Sequence, residues 1–123
     1  MNTPHLEQLV VGALEDVKAH DIEIIDTSRL SSQFERIIVA SGDSGRQTRA
    51  LAHNVLDRAR EAGCKVLGIE GEENGEWVLV DLGEVVVHVM QPAIRAYYRL
   101  EELWRASPSA SRSAGLMPRA AGA

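Results

Sequence analysis

The residues best able to do chemistry in this 123-residue chain are few and scattered. Ser41-Gly42-Asp43-Ser44-Gly45-Arg46 puts two hydroxyls, backbone N–H groups and a guanidinium just ahead of a helical pattern. A helix N-terminus of that kind can hold an anion. The same residues also make an ordinary helix start, because Ser44 and Gln47 stand at capping-box spacing. The loop has neither the Lys of a phosphate-binding P-loop nor a GxGxxG spacing. Nucleotidyl transfer needs two or three carboxylates converging on Mg²⁺, usually alternating on one strand. Here Asp81 stands alone on its strand, and Glu84 lies across a turn from it. His88 has no Ser or Cys beside it in a nucleophile motif. Cys64, the one cysteine, cannot close an internal disulfide and has no Cys or His at metal-site spacing. These residues point away from catalysis, and no cofactor or metal is expected. The alternative kept open is a nucleotidyltransferase-like nucleotide-binding protein using the Ser41–Arg46 loop.

The elements that must position these groups are legible from periodicity. Leu6, Leu9, Val10, Ala13, Leu14 and Val17 follow helical spacing after Thr3 and Pro4, which read as an N-cap and a first-turn proline, and this helix runs to near His20. Residues 22–26 read as a short strand and 35–41 as an apolar strand of the buried kind. A second helix carries Thr48, Leu51, Ala52, Val55, Ala59 and Ala62 and ends at Gly63. Residues 65–69 make a third strand, and the acidic turn 70–75 leads into a hairpin of strands 76–82 and 85–90 centred on Gly83. Pro92 then opens a helix running to about Trp104. Strand two, its helix and strand three form a βαβ unit with a right-handed parallel crossover, and the hairpin adds an antiparallel edge. The expected fold is α/β: a mixed five-stranded sheet with three helices, closing on a C-terminal hairpin plus helix.

Alternation sorts the hairpin's faces. Trp77, Leu79 and Asp81 share one, and His88 lies with Val86 and Met90. Where the two polar faces coincide, Trp77, Leu79, His88 and Met90 form an apolar patch with a polar rim, open as a partner surface. The competing reading is that a helix covers this face and Trp77 is ordinary core. On the last helix, Ala93, Ala96, Tyr97, Leu100, Leu103 and Trp104 make the core stripe, leaving Arg95, Tyr98 and Glu102 as a flank. That flank is either a binding pair or a solvated ion pair.

Composition narrows the partners. The formal charge is −5, which disfavours direct nucleic-acid binding. After Trp104 the chain turns to Ala, Ser, Gly, Pro and Arg with no acid, so residues 106–123 read as a disordered tail and 1–105 as one domain. Two of the thirteen basic residues, Arg112 and Arg119, lie in that tail. The body then carries eleven bases against eighteen acids, a formal charge of −7. No signal sequence opens the chain and no apolar run approaches a bilayer span, so a cytoplasmic, membrane-free protein is expected.

Glu-Trp-Val-Leu-Val-Asp, then Val-Val-Val-His-Val, then Arg-Ala-Tyr-Tyr-Arg-Leu-Glu-Glu-Leu-Trp resembles the Iojap-related family of ribosomal silencing factors. The match rests on Trp77, Asp81, His88, Arg95, Tyr97, Tyr98, Leu100, Glu101, Leu103 and Trp104, with Ala40 to Ser44 and Glu70-Gly71 upstream in the same order. It covers about residues 6 to 105. One departure is that Phe34 precedes Glu35-Arg36-Ile37-Ile38-Val39, whereas many members carry the aromatic inside that strand. The resemblance implies an architecture related to the nucleotidyltransferase fold, and a factor that makes and breaks no bond. It implies binding to protein fourteen of the large ribosomal subunit, a steric block to joining of the small subunit, and repression of translation when nutrients are scarce. It also suggests a homodimer when free. Carried onto this chain, Trp77 and Leu79 are hydrophobic anchors, Asp81, His88, Arg95 and Tyr98 set the polar surroundings, and Glu70 is a further candidate. On that reading Trp77→Glu abolishes docking and leaves the fold intact.

Overall fold

The structure is a computed structural model and describes residues 2–99. The expected tail, and the last helix beyond Arg99, fall outside them. In chain order the elements are α1 (Thr3–Asp16), β1 (His20–Asp26), β2 (Arg36–Ser41), α2 (Gly45–Glu61), β3 (Gly68–Glu70), β4 (Trp77–Asp81), β5 (Val85–Met90) and α3 (Pro92–Tyr98). Asn2 caps α1, its side chain accepting from the His5 N–H, so Thr3 is already inside the helix. Ser44 caps α2 as expected: its hydroxyl accepts from the Gln47 N–H, and the Gln47 side chain accepts from the Asp43 N–H.

The five strands form one mixed sheet in the order β1-β2-β5-β4-β3. The hairpin is therefore not an edge. β5 pairs parallel with β2, β4 pairs antiparallel with β5, and β3 closes the far side antiparallel to β4. β2 and β3 do run parallel, but with two strands inserted between them. The reason lies in burial. β5 buries all six of its residues and β4 four of its five. Strands apolar on both faces are satisfied only at the centre of a sheet covered on both sides. Three-residue β3 has little to bury and ends as an edge.

One face of the sheet packs on α1 and α2, joining Val10, Leu14, Leu51 and Val55 to Ile38, Val78, Val80, Val87 and Val89. The other face gathers Ile25, Phe34, Ile37, Val39, Trp77, Leu79, Val86 and Met90, with Leu30, Ile94 and Tyr98 packed over it. Phe34 reaches that core from the connection before β2, only 6% exposed.

Gly71 ends β3 at φ +86°, and a Cβ there would lie 2.0 Å from the carbonyl oxygen of Trp77. Gly63 has a similar φ of +79° with open space where its Cβ would go. Gly63→Ala is thus expected to cost about 1–2 kcal/mol, the left-handed penalty alone. Gly71→Ala adds a backbone overlap that no rotamer relieves, and at least about 3 kcal/mol is expected. Urea unfolding of the two variants checks this; equal losses would mean the β3–β4 turn yields without strain.

Candidate docking face

Strand register brings the sequence-selected residues onto one face. Glu70 stands opposite Leu79, Leu79 opposite His88, His88 opposite Val39, and Val39 opposite Glu23. That row crosses the whole sheet. Trp77 pairs with Met90 one row nearer α3, and Asp81 with Val86 one row further away. Arg95 and Tyr98 reach the same face from α3.

The face is covered, not open. Trp77 is 4% exposed, Leu79 0% and His88 1%. The Tyr98 ring stands over Trp77 with centroids 5.1 Å apart, and Ile94 packs beside it. Of the two readings of Trp77, the structure shows core. The expected stripe on α3 is likewise rotated: Ile94, Arg95 and Tyr98 turn towards the sheet, while Ala93, Ala96 and Tyr97 are exposed. Tyr97, assigned to the core by spacing, is 74% exposed. The i, i+4 pair Ile94 and Tyr98 was the signal for the true inner face, but the stronger run of Leu100, Leu103 and Trp104 masked it. Those three residues lie outside the described ones.

Two buried polar side chains on this face, Trp77 and His88, bond to each other. The Trp77 Nε1–H donates to His88 Nδ1 at 2.8 Å. An indole nitrogen can only donate, so Nδ1 must accept and the ring is neutral with its proton on Nε2. Burial drives the His88 pKa down from 6.5 to about 3, and the indole dipole aimed at Nδ1 opposes protonation in the same sense. Asp81, half-buried, accepts the Gly83 N–H at 2.9 Å and so fastens the hairpin turn. Arg95 is only 12% exposed in its side chain. It donates to the Asp21 carbonyl at 2.6 Å and the Ser41 hydroxyl at 2.9 Å, and approaches Glu23 at 3.5 Å. It tethers α3 to β1 and β2. Glu70 is exposed at the sheet edge.

The Ser41–Arg46 loop is occupied by its own structure. Ser41 is 2% exposed and accepts from Arg95. Ser44 caps α2, and the Asp43 carboxylate meets His20 Nε2 at 2.7 Å. Gln47 further donates to the Val17 and Lys18 carbonyls. The helix-start reading of this loop accounts for each of these contacts, and a carboxylate already sits at the helix N-terminus. Among the described residues no three His, Cys, Asp or Glu side chains converge as metal ligands, and no helix is long and apolar enough to cross a membrane.

Set beside known proteins, residues 1–121 match the family described as ribosomal silencing factor during starvation. A ribosomal silencing factor of Chromobacterium violaceum is 55% identical over 104 residues, 85% of either chain. A crystal structure of a protein from the same organism superposes with a TM-score of 0.84 at 53% identity, covering 87% of this chain and 89% of that one. A mouse protein named for mitochondrial assembly of the ribosomal large subunit is 30% identical over 99 residues, 78% of this chain and 43% of its own length.

Proposed function

This chain belongs to the ribosomal silencing factor family, and on that premise we propose that it docks on the large ribosomal subunit and keeps the small subunit from joining. Membership makes it a ribosome-associated silencer of translation. The large subunit as its partner is supported by the mouse relative, which carries that subunit in its name. The finer reading is that protein fourteen of the large subunit is the docking point and that the block is steric, with no bond made or broken. Repression then acts under nutrient limitation, in the cytoplasm.

The observation that carries this reading is the convergence of Glu70, Trp77, Leu79, Asp81, His88, Arg95 and Tyr98 on one side of the sheet. Their roles divide by burial. Trp77, Leu79 and His88 form the rigid floor beneath α3, while Tyr98 and Glu70 reach its rim. A rigid floor under a helix face lowers the ordering cost of docking. The free protein pairs through the same side with a second copy.

Sedimentation with purified subunits tests the reading. Co-migration with the large subunit alone, a cross-link to protein fourteen, and loss of subunit joining at stoichiometric factor are expected. Migration with neither subunit would end the ribosomal assignment. For the dimer, sedimentation equilibrium at micromolar concentration is the check, and a monomer there would refute it.

A further inference from the structure

One extra residue interrupts β1. His20 stands opposite Ser41 and Glu23 opposite Val39, so Asp21 and Ile22 together face Ala40. This is a β-bulge, and Asp21 at its head takes a left-handed φ of +48°. A left-handed first residue is the glycine position of such bulges, and an aspartate there carries strain. The ladder does not need it. Without Asp21, Ile22 would pair with Ala40 and every other β1–β2 pair would stand unchanged. The cause of the bulge therefore lies outside the ladder.

The Asp21 carbonyl supplies that cause. In a regular strand the carbonyls lie in the plane of the sheet and point to neighbouring strands. α3 lies over the face instead, out of their line. At the bulge the Asp21 carbonyl meets Arg95, whose Nη1 donates to it at 2.6 Å. The same nitrogen donates to the Ser41 hydroxyl at 2.9 Å, and Nη2 lies 3.5 Å from the Glu23 carboxylate. The guanidinium is thus gripped by β1 at and after its bulge and by the end of β2. α3 needs this grip. None of its seven residues is buried, and a helix of two turns does not stand alone in water. Ile94 and Tyr98 pack on the sheet, but apolar contacts are non-directional. A forked, charge-assisted set of hydrogen bonds fixes direction.

We propose that Asp21, through its carbonyl, and Ser41 are positioning residues for docking: with Arg95 they hold α3 over Trp77 in the orientation that the partner meets. Arg95 then acts on the partner through α3 and not by touching it. The proposal rests on the docking reading above and adds the device that pre-organises the face. With the grip lost, α3 is in place in only part of the molecules, and apparent affinity falls by that fraction.

The test combines amide exchange in the full chain with binding to purified large subunits, for deletion of Asp21, Ser41→Ala and Arg95→Met. The Arg95 and Arg99 N–H groups, bonded to the Gln91 and Arg95 carbonyls, report on α3. Each variant is expected to speed their exchange about threefold or more while β4 and β5 keep wild-type protection. The deletion and Arg95→Met are expected to weaken docking about tenfold, and Ser41→Ala less. Ser41→Ala added to Arg95→Met is expected to weaken docking no further, because both break one grip. Weaker docking of Arg95→Met with α3 exchange unchanged, and Ser41→Ala docking as wild type, makes Arg95 a direct contact and overturns the proposal. Faster α3 exchange with normal docking in every variant overturns it too, as does a folded deletion variant that matches wild type in both. If the deletion variant does not fold, the two substitutions decide. Absence of wild-type docking ends the docking reading and the positioning role with it, while exchange still reads the grip on α3 by itself.

Discussion

Trp77→Glu is expected to unfold the chain, not merely to undock it. Trp77 is 4% exposed and sits among Phe34, Leu79 and Met90 under Tyr98. Truncating a buried Trp to Ala costs about 3–5 kcal/mol. Glu leaves the same void and adds a carboxylate that must be desolvated or protonated, at a further few kcal/mol. It also removes the donor to His88 Nδ1. A single domain has only about 5–15 kcal/mol of stability to lose. Thermal unfolding followed by circular dichroism should therefore show no cooperative transition near that of the wild type. A variant that melts normally and fails to bind the subunit would return Trp77 to the surface as a contact residue. Until then, lost docking in this variant reports unfolding.

The second large effect is on pH. His88 has a folded-state pKa of about 3 against 6.5 when unfolded. Between those values the unfolded chain binds a proton that the folded chain refuses, so stability rises with pH through the window. It is complete above about 6.5 and is lost as pH falls towards 3. The slope is about 1.4 kcal/mol per pH unit, which makes about 2 kcal/mol by pH 5 and about 5 kcal/mol over the whole window. Asp26, held below its usual range by the Ser28 hydroxyl and N–H and by Arg36, adds in the same direction at the acid end. Urea midpoints at pH 7, 6, 5 and 4 measure the slope. His88→Leu is expected to be less stable at pH 7 by about 1–3 kcal/mol, because the Trp77 N–H loses its acceptor. Its profile should be flatter below pH 6.5. Parallel profiles for the two proteins would show that His88 does not carry the effect.

Sequence alone determined the parts that depend on neighbours a few residues away. The amphipathic faces of α1 and α2, the Ser44–Gln47 cap and the tight turn at Gly83 are set by local spacing and backbone chemistry, and the structure places each where the pattern does. The mixed five-stranded α/β class and the family assignment were legible for a related reason, since ordered motifs survive as strings of residue types. Alternation also put Trp77, Leu79 and Asp81 on one side of their strand.

Only the tertiary structure decided what that side meets. Period-two alternation gives two faces and is silent on which one is covered, because the cover comes from Leu30, Ile94 and Tyr98, far away in the chain. Strand order was decided the same way. β5 lies against β2 across more than forty residues of sequence, a pairing no local pattern encodes, and it moved the hairpin from the edge to the centre. Arg95 became a tether because β1 carries Asp21 and Glu23 to within its reach. For α3, the run of Leu100, Leu103 and Trp104 set the stripe that spacing selects, and Pro92–Tyr98 alone makes barely two turns. Packing against Trp77 made the choice, turning Tyr98 in and leaving Tyr97 in solvent.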